Sequence, residues 1–170
     1  MTYYRCARVC IPLVVMLTVT SACLKPKPKP APAPTPLTIT APPEAPVKAP
    51  MVISVSADTN PDATGRPSPV VLRIYQLRTD AAFNSAEYFA LYDDEKKVLG
   101  SERISGDEFV LAPAERRTIE ISVAPEARFV GAVAAFRDIR NAQWRAVVPA
   151  SRKGLTVTVE KARVTLSAAN

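Results

Sequence analysis

Leu155-Thr156-Val157-Thr158-Val159-Glu160 sets an aliphatic side chain at every second position and a hydroxyl or charge between them. A period of two is the mark of a half-buried strand, with one face on a core and the other in water. The same rule continues downstream through Val164, Leu166 and Ala168. Upstream it recurs where Ile119, Ile121 and Val123 alternate with Thr118, Glu120 and Ser122, and where Ile53, Val55 and Ala57 alternate with Ser54 and Ser56. Val70 to Leu77 and Phe129 to Phe136 are more continuously apolar, as central strands covered on both faces would be. Glu108 to Leu111 and Arg145 to Val148 are weaker candidates. Turn-forming groups punctuate these runs: Asn60-Pro61-Asp62, Ser105-Gly106-Asp107, Pro113-Ala114-Glu115 and Lys153-Gly154. One segment departs from the pattern. Thr79 or Asp80 can cap a helix from about Ala81 to Tyr92, with Phe83, Ala86, Phe89 and Ala90 along one side and a natural break at Asn84-Ser85. The fold class is therefore mainly β, a two-sheet antiparallel β-sandwich over residues 51–170 with one short helical insertion.

The first fifty residues follow other rules. Arg5 and Arg8 precede an apolar stretch from Val9 to Val19, and small residues Thr20-Ser21-Ala22 then lead into Cys23. Between Arg8 and Lys25 lie 16 uncharged residues, short of the roughly 20 a membrane-spanning helix needs. Residues 1–22 therefore read as a cleaved export signal. The small residues before Cys23 resemble the lipobox of bacterial lipoproteins, which implies diacylglycerol attachment at that thiol and cleavage just before it. Leu24 rather than Asp follows, which in such lipoproteins implies sorting to the outer membrane. Residues 23–50 are the expected lipidated cysteine and linker, since ten of the 17 prolines fall between Lys25 and Pro50. Such a run favours extended polyproline II, which at about 3.1 Å per residue would hold the domain roughly 80 Å from its anchor.

The composition removes several kinds of chemistry. There is no His, so imidazole acid–base catalysis, Ser-His-Asp and Cys-His nucleophiles, and His-ligated metals are excluded. All three cysteines lie at or before Cys23, which leaves the body without disulfides or thiolate metal sites. The pI of 9.4 would suggest nucleic acid, but residues 51–170 hold 16 Lys+Arg against 15 Asp+Glu; the excess sits in the leader and linker. Asp93-Asp94-Glu95 lacks the ligand spacing of a calcium loop and reads as a solvated loop after the helix. Asp107 and Glu108 are neighbours on a strand and point to opposite faces, a poor pair of glycosidase carboxylates. No catalytic residue, metal or cofactor is expected.

Binding features are few. Trp144 reads as partly buried packing, and Arg137-Asp138 as a charged strand end whose members pair with each other or with a nearby acid. The loop Asp58 to Pro69 differs, because Pro61, Pro67 and Pro69 stiffen the connection between the first two strands. A long stiffened loop at the end of a sandwich has part of its ordering entropy already spent, which suits partner recognition.

Asn60-Pro61-Asp62 with Gly65-Arg66-Pro67-Ser68-Pro69 and the strand through Ile74-Tyr75-Gln76-Leu77 resembles the opening of the TssJ family, lipoproteins of type VI secretion systems. Phe83, Ala86, Phe89 and Leu91 match the family's helix, and Leu111-Ala112-Pro113-Ala114-Glu115 its Leu-x-Pro-Gly-Glu turn with Ala114 in the glycine's place. Val130 to Asp138 and Trp144-Arg145 match its late strands. The resemblance implies a transthyretin-like sandwich, anchored to the outer membrane through acyl chains on Cys23 and facing the periplasm. It also implies a scaffold that docks the periplasmic C-terminal region of the inner-membrane protein TssM, and through it TssL. The family's contact loop maps to Asp58–Pro69, with Asn60, Pro61, Asp62 and Arg66 as the expected contacts. The competing reading is a periplasmic lipoprotein that binds carbohydrate or cell-wall polymer through exposed aromatics.

Overall fold

A computed structural model describes residues 44–169. Two four-stranded sheets face each other. The first has the order β4-β1-β7-β8 and the second β3-β2-β5-β6. The strands are β1 (Val47–Val55), β2 (Val70–Leu77), β3 (Arg103–Leu111), β4 (Arg116–Val123), β5 (Phe129–Ala134), β6 (Arg145–Pro149), β7 (Leu155–Val159) and β8 (Val164–Ala168). Every strand expected from the sequence is present. Each pairing is antiparallel except β1 with β7, which run parallel from Met51↔Leu155 to Val55↔Val159. That exception was not expected. Residue alternation reports faces, not direction, and both strands turn the same kind of face inward.

Ala49, Met51, Ile53 and Val55 of β1 and Leu155, Val157 and Val159 of β7 are buried against Leu72, Ile74, Val130 and Ala132 of the second sheet. β2 and β5 are apolar on their other face too, for the expected reason. Tyr75, Leu77 and Val133 turn outward onto Phe83, Leu91 and Leu99 of the helical insertion, which forms a second small core. The insertion is three short helices, α1 (Ala81–Ser85), α2 (Tyr88–Asp93) and α3 (Glu95–Leu99), followed by a 3-10 turn. Asp80 precedes α1 without capping it by side chain; Glu102 Oε2 accepts from the Ala82 amide instead, at 3.1 Å.

Four sequence expectations shift. β1 starts at Val47, ahead of the expected boundary at Met51, and pairs with β4 from Val47↔Val123. Pro50 is tolerated in it because the β7 ladder begins only at Met51, so the missing N–H is not needed there. Ser105-Gly106-Asp107 lies inside β3 rather than at a turn, paired through Gly106 with Tyr75. Asp93-Asp94-Glu95 is not a plain solvated loop, since Asp94 caps α3 by accepting from the Lys97 amide and Glu95 faces β2 and β3. The single helical face dissolves as well. Extended backbone at Ala86 and Glu87 separates α1 from α2, so Phe83 is buried while Phe89 and Ala90 are exposed.

Along one side the sandwich closes, where Gln143 meets Arg163 in a parallel bridge between the β6 and β8 segments. On the other, Gln76 reaches from β2 to β4, donating to the Ser122 carbonyl at 2.8 Å and accepting from the Ala124 amide at 2.9 Å. Both ends of this buried amide are satisfied, as a polar group in that position requires.

Candidate partner-docking site

Residues 56–69 cross from the first sheet to the second at the end where β1 and β7 finish and β2 begins. Three neighbouring turns hold the base of this loop. Ala114 of the β3–β4 turn donates its amide to the Ser56 carbonyl at 3.2 Å. The Thr59 hydroxyl donates to the Glu160 carbonyl and the Asn60 amide to the Lys161 carbonyl, each at 2.9 Å, fixing the loop to the β7–β8 turn. The Asn60 side chain then bridges in two directions. Its Nδ2 donates to the Pro69 carbonyl at 2.7 Å, and its Oδ1 accepts from the Arg137 amide at 2.8 Å. Asn60 has φ +47, a left-handed conformation that Asn adopts more readily than most residues.

The tip is folded around Asp62. Its Oδ1 accepts from the Thr64 amide at 2.9 Å, the Thr64 hydroxyl at 2.7 Å and the Arg66 amide at 3.0 Å. The Asp62 amide donates to the Arg66 carbonyl at 2.9 Å, and the Arg66 Nε lies 3.3 Å from Asp62 Oδ2. The Thr64 hydroxyl first, then the Arg66 amide, hold the Asp62 carboxyl below its ordinary pKa. Gly65 takes φ +83, which the tight return needs. Prolines 61, 67 and 69 thus flank a tip that is already hydrogen-bonded in place.

The four expected contact residues separate into two roles. Asn60 is 4% exposed with its side-chain amide engaged on both sides, so its side chain braces the loop from within. Pro61 and Asp62 are half-buried and Arg66 is exposed on the rim. Cys23 lies outside the described residues. Across from the tip, Pro61, Asp62 and Ala63 share a shallow cleft with Arg137 and Asp138 from the β5–β6 connection. Arg137 and Asp138 do not pair with each other among the described residues. The Asp138 carboxylate instead accepts from Asn141 Nδ2 at 2.9 and 3.1 Å, and Arg137 stays exposed. Their place beside the loop is set by the long-range hydrogen bond that the Arg137 amide donates to Asn60, which no local sequence pattern reveals. Trp144 packs as expected, edge-on to Tyr88 with ring centroids 5.2 Å apart. Among the described residues no group of three or more acidic side chains converges as a metal site.

This β-sandwich, closed around an aliphatic core and carrying a helical insertion on one sheet, is similar in fold to solved structures of type VI secretion lipoproteins. The family model described as type VI secretion lipoprotein, VasD, EvfM, TssJ matches residues 48–169, and the chain belongs to that family. The crystal structure of the type VI lipoprotein TssJ1 from Pseudomonas aeruginosa is 34% identical with a TM-score of 0.69, over 74% of this chain and 98% of that one. Serratia marcescens Lip, a membrane-bound component of the type VI secretion system, superposes with a TM-score of 0.66 at 23% identity, over 74% and 99% of the two chains. A chain in the structure named T6SS protein TssM C-terminal domain from EAEC gives a TM-score of 0.61 at 26% identity, over 72% and 99%. No curated protein sequence matches.

Proposed function

We propose that this lipoprotein is a non-catalytic scaffold. It is held at the periplasmic face of the outer membrane by acyl chains on Cys23 and docks the periplasmic C-terminal region of a TssM-like inner-membrane protein through residues 56–69. Through that protein it is linked indirectly to TssL. The observation that carries the reading is the position of the braced loop. The chain enters the domain at Val47, and the loop leaves β1 after Val55, at the far end of a nine-residue strand. Eight steps of about 3.3 Å put roughly 26 Å between them. Glu44 forms a two-pronged ion pair with Arg152 beside the entry point. The start of β1 and the loop thus lie at opposite ends of that strand, which suits an adaptor between two membranes. The TssM domain named with one structural relative supports the choice of partner.

The test is binding of the intact lipoprotein, in detergent, to the periplasmic C-terminal region of the TssM-like protein from the same bacterium. Replacing residues 62–66 by Gly and Ser leaves Asn60 and its brace in place, so folding should persist while binding falls at least tenfold. Undiminished binding by that folded variant would move the contact off the loop. Cys23→Ser should remove the protein from the outer membrane without changing the affinity of the domain for its partner.

A further inference from the structure

Phe89 is 65% exposed on α2, beside a shallow cleft of ≈ 380 Å³ that also involves Tyr88, Tyr92, Phe136, Arg137 and Ile139. The rings are not loose. Tyr88 stacks on Tyr92 with centroids 5.5 Å apart, meets Phe89 edge-on at 5.2 Å, and rests on Trp144. Tyr92 is pinned from behind by the Arg73 guanidinium, 4.1 Å from its ring centroid. An apolar surface ordered in this way has little entropy left to lose on contact. Folding does not explain the exposure of Phe89, because its neighbours Phe83 and Leu91 already fill the core beneath the insertion.

Arg137 lines both this cleft and the one beneath Pro61 and Asp62. Its amide is held by Asn60 of the loop, so the aromatic cleft and the loop are parts of one continuous face, fixed relative to each other. Arg137 has no ion-pair partner among the described residues, and the Asp138 carboxylate beside it is occupied by Asn141. We propose that the aromatic cleft is the second half of the docking surface. It receives an apolar side chain of the partner that docks on residues 56–69, while Arg137, at the seam, pairs with a carboxylate next to that side chain. This rests on the functional reading above and extends it. The continuity through Arg137 argues for the same partner.

The intact lipoprotein carrying Phe89→Ala or Arg137→Glu, and the same protein with residues 62–66 replaced, are compared for affinity toward the TssM-like periplasmic region. Neither Phe89 nor the Arg137 side chain holds the fold, so circular dichroism and melting should match the wild type. Phe89→Ala should weaken binding by about tenfold or more, as a buried aromatic anchor does. Arg137→Glu should weaken it and flatten its dependence on salt. Wild-type affinity in both variants, with loss in the loop variant, overturns the proposal but leaves the loop reading standing. Failure of the wild type to bind overturns both. Self-association of the lipoprotein that Phe89→Ala abolishes would assign the cleft to a second copy and overturn the proposal as well.

Discussion

Two segments interrupt the strand order, residues 56–69 and the helical insertion from Ala81 to Glu102, and they are fastened by different physics. The loop is held by directional bonds. Thr59 and Asn60 satisfy groups of the β7–β8 turn and the β5–β6 connection, Asp62 satisfies those of the loop's own tip, and the loop contributes no large side chain to the core. The insertion is held by volume and charge. Phe83 lies over Gly131, where an added Cβ would stand 2.8 Å from the ring. Glu95 gathers the Tyr75 hydroxyl at 2.6 Å and the Arg103 guanidinium at 2.9 Å. The difference teaches how each can serve a surface. Directional bonds fix a backbone that must be presented to a partner, whereas packing lets a helix cover the sheet and still leave one ring outside.

Removing the packed anchor should therefore cost most. Phe83→Ala empties the site over Gly131 and should destabilise the domain by about 3–5 kcal/mol, read as a lower urea midpoint with an unchanged slope. Gly131→Val attacks the same contact from the other side and should be comparably damaging, because the sheet cannot yield beneath the ring. On the loop side Asn60→Ala leaves the Pro69 carbonyl and Arg137 amide without partners and should cost about 1–3 kcal/mol. It should also loosen binding more than its stability loss alone explains. Equal costs for the two segments would break the contrast between them.

The sequence displayed these segments unequally. The apolar runs Val70–Leu77 and Phe129–Phe136 announced strands covered on both faces, and the insertion supplies the second cover. Alternation placed the remaining strands, since the side-chain period reports a buried face directly. Proline content marked the loop. Alternation carries no strand direction, so the parallel β1–β7 pair was invisible, and a run of prolines hid the first turns of β1. Asn60 was legible as important but not as a brace, because its partners Pro69 and Arg137 are defined only after folding. Phe89 looked like core by helical spacing until the extended residues at Ala86 and Glu87 rotated α2 away from α1.

The charge that ties down the insertion gives it a dependence on alkali that the loop lacks. Burial of Tyr75, and then its hydrogen bond to the Glu95 carboxylate, raise the phenol's pKa well above its ordinary value. In the unfolded chain it ionises near pH 10. Its contribution is fully present below that pH and is lost as pH rises further, since the unfolded state releases the proton first. The loss should approach about 1.4 kcal/mol per pH unit for this one group. Tyr75→Phe should cost about 1 kcal/mol at neutral pH and remove that slope. Tyr88, also raised by burial, leaves a residual alkaline dependence in the variant. A variant as alkali-sensitive as the wild type would show that Tyr75 does not carry the effect.

The smallest effect belongs to the turn that supports the loop from below. Ala114 sits at φ +62, where a Cβ crowds the following carbonyl, and its amide bonds the Ser56 carbonyl at 3.2 Å. Ala114→Gly relieves that strain, worth roughly 1 kcal/mol, but frees the unfolded chain by somewhat less, so a net gain of about 0.5 kcal/mol is expected. Ala114→Val should lose about 1 kcal/mol or more, because a β-branched side chain tolerates a positive φ poorly. Neither change touches the bond to Ser56, provided the turn keeps its conformation, so docking affinity should stay constant across the pair while stability moves in opposite directions. If affinity follows stability instead, the loop's geometry depends on the strain beneath it, and the contrast between a rigid loop and a packed insertion would have to include this turn as part of the loop.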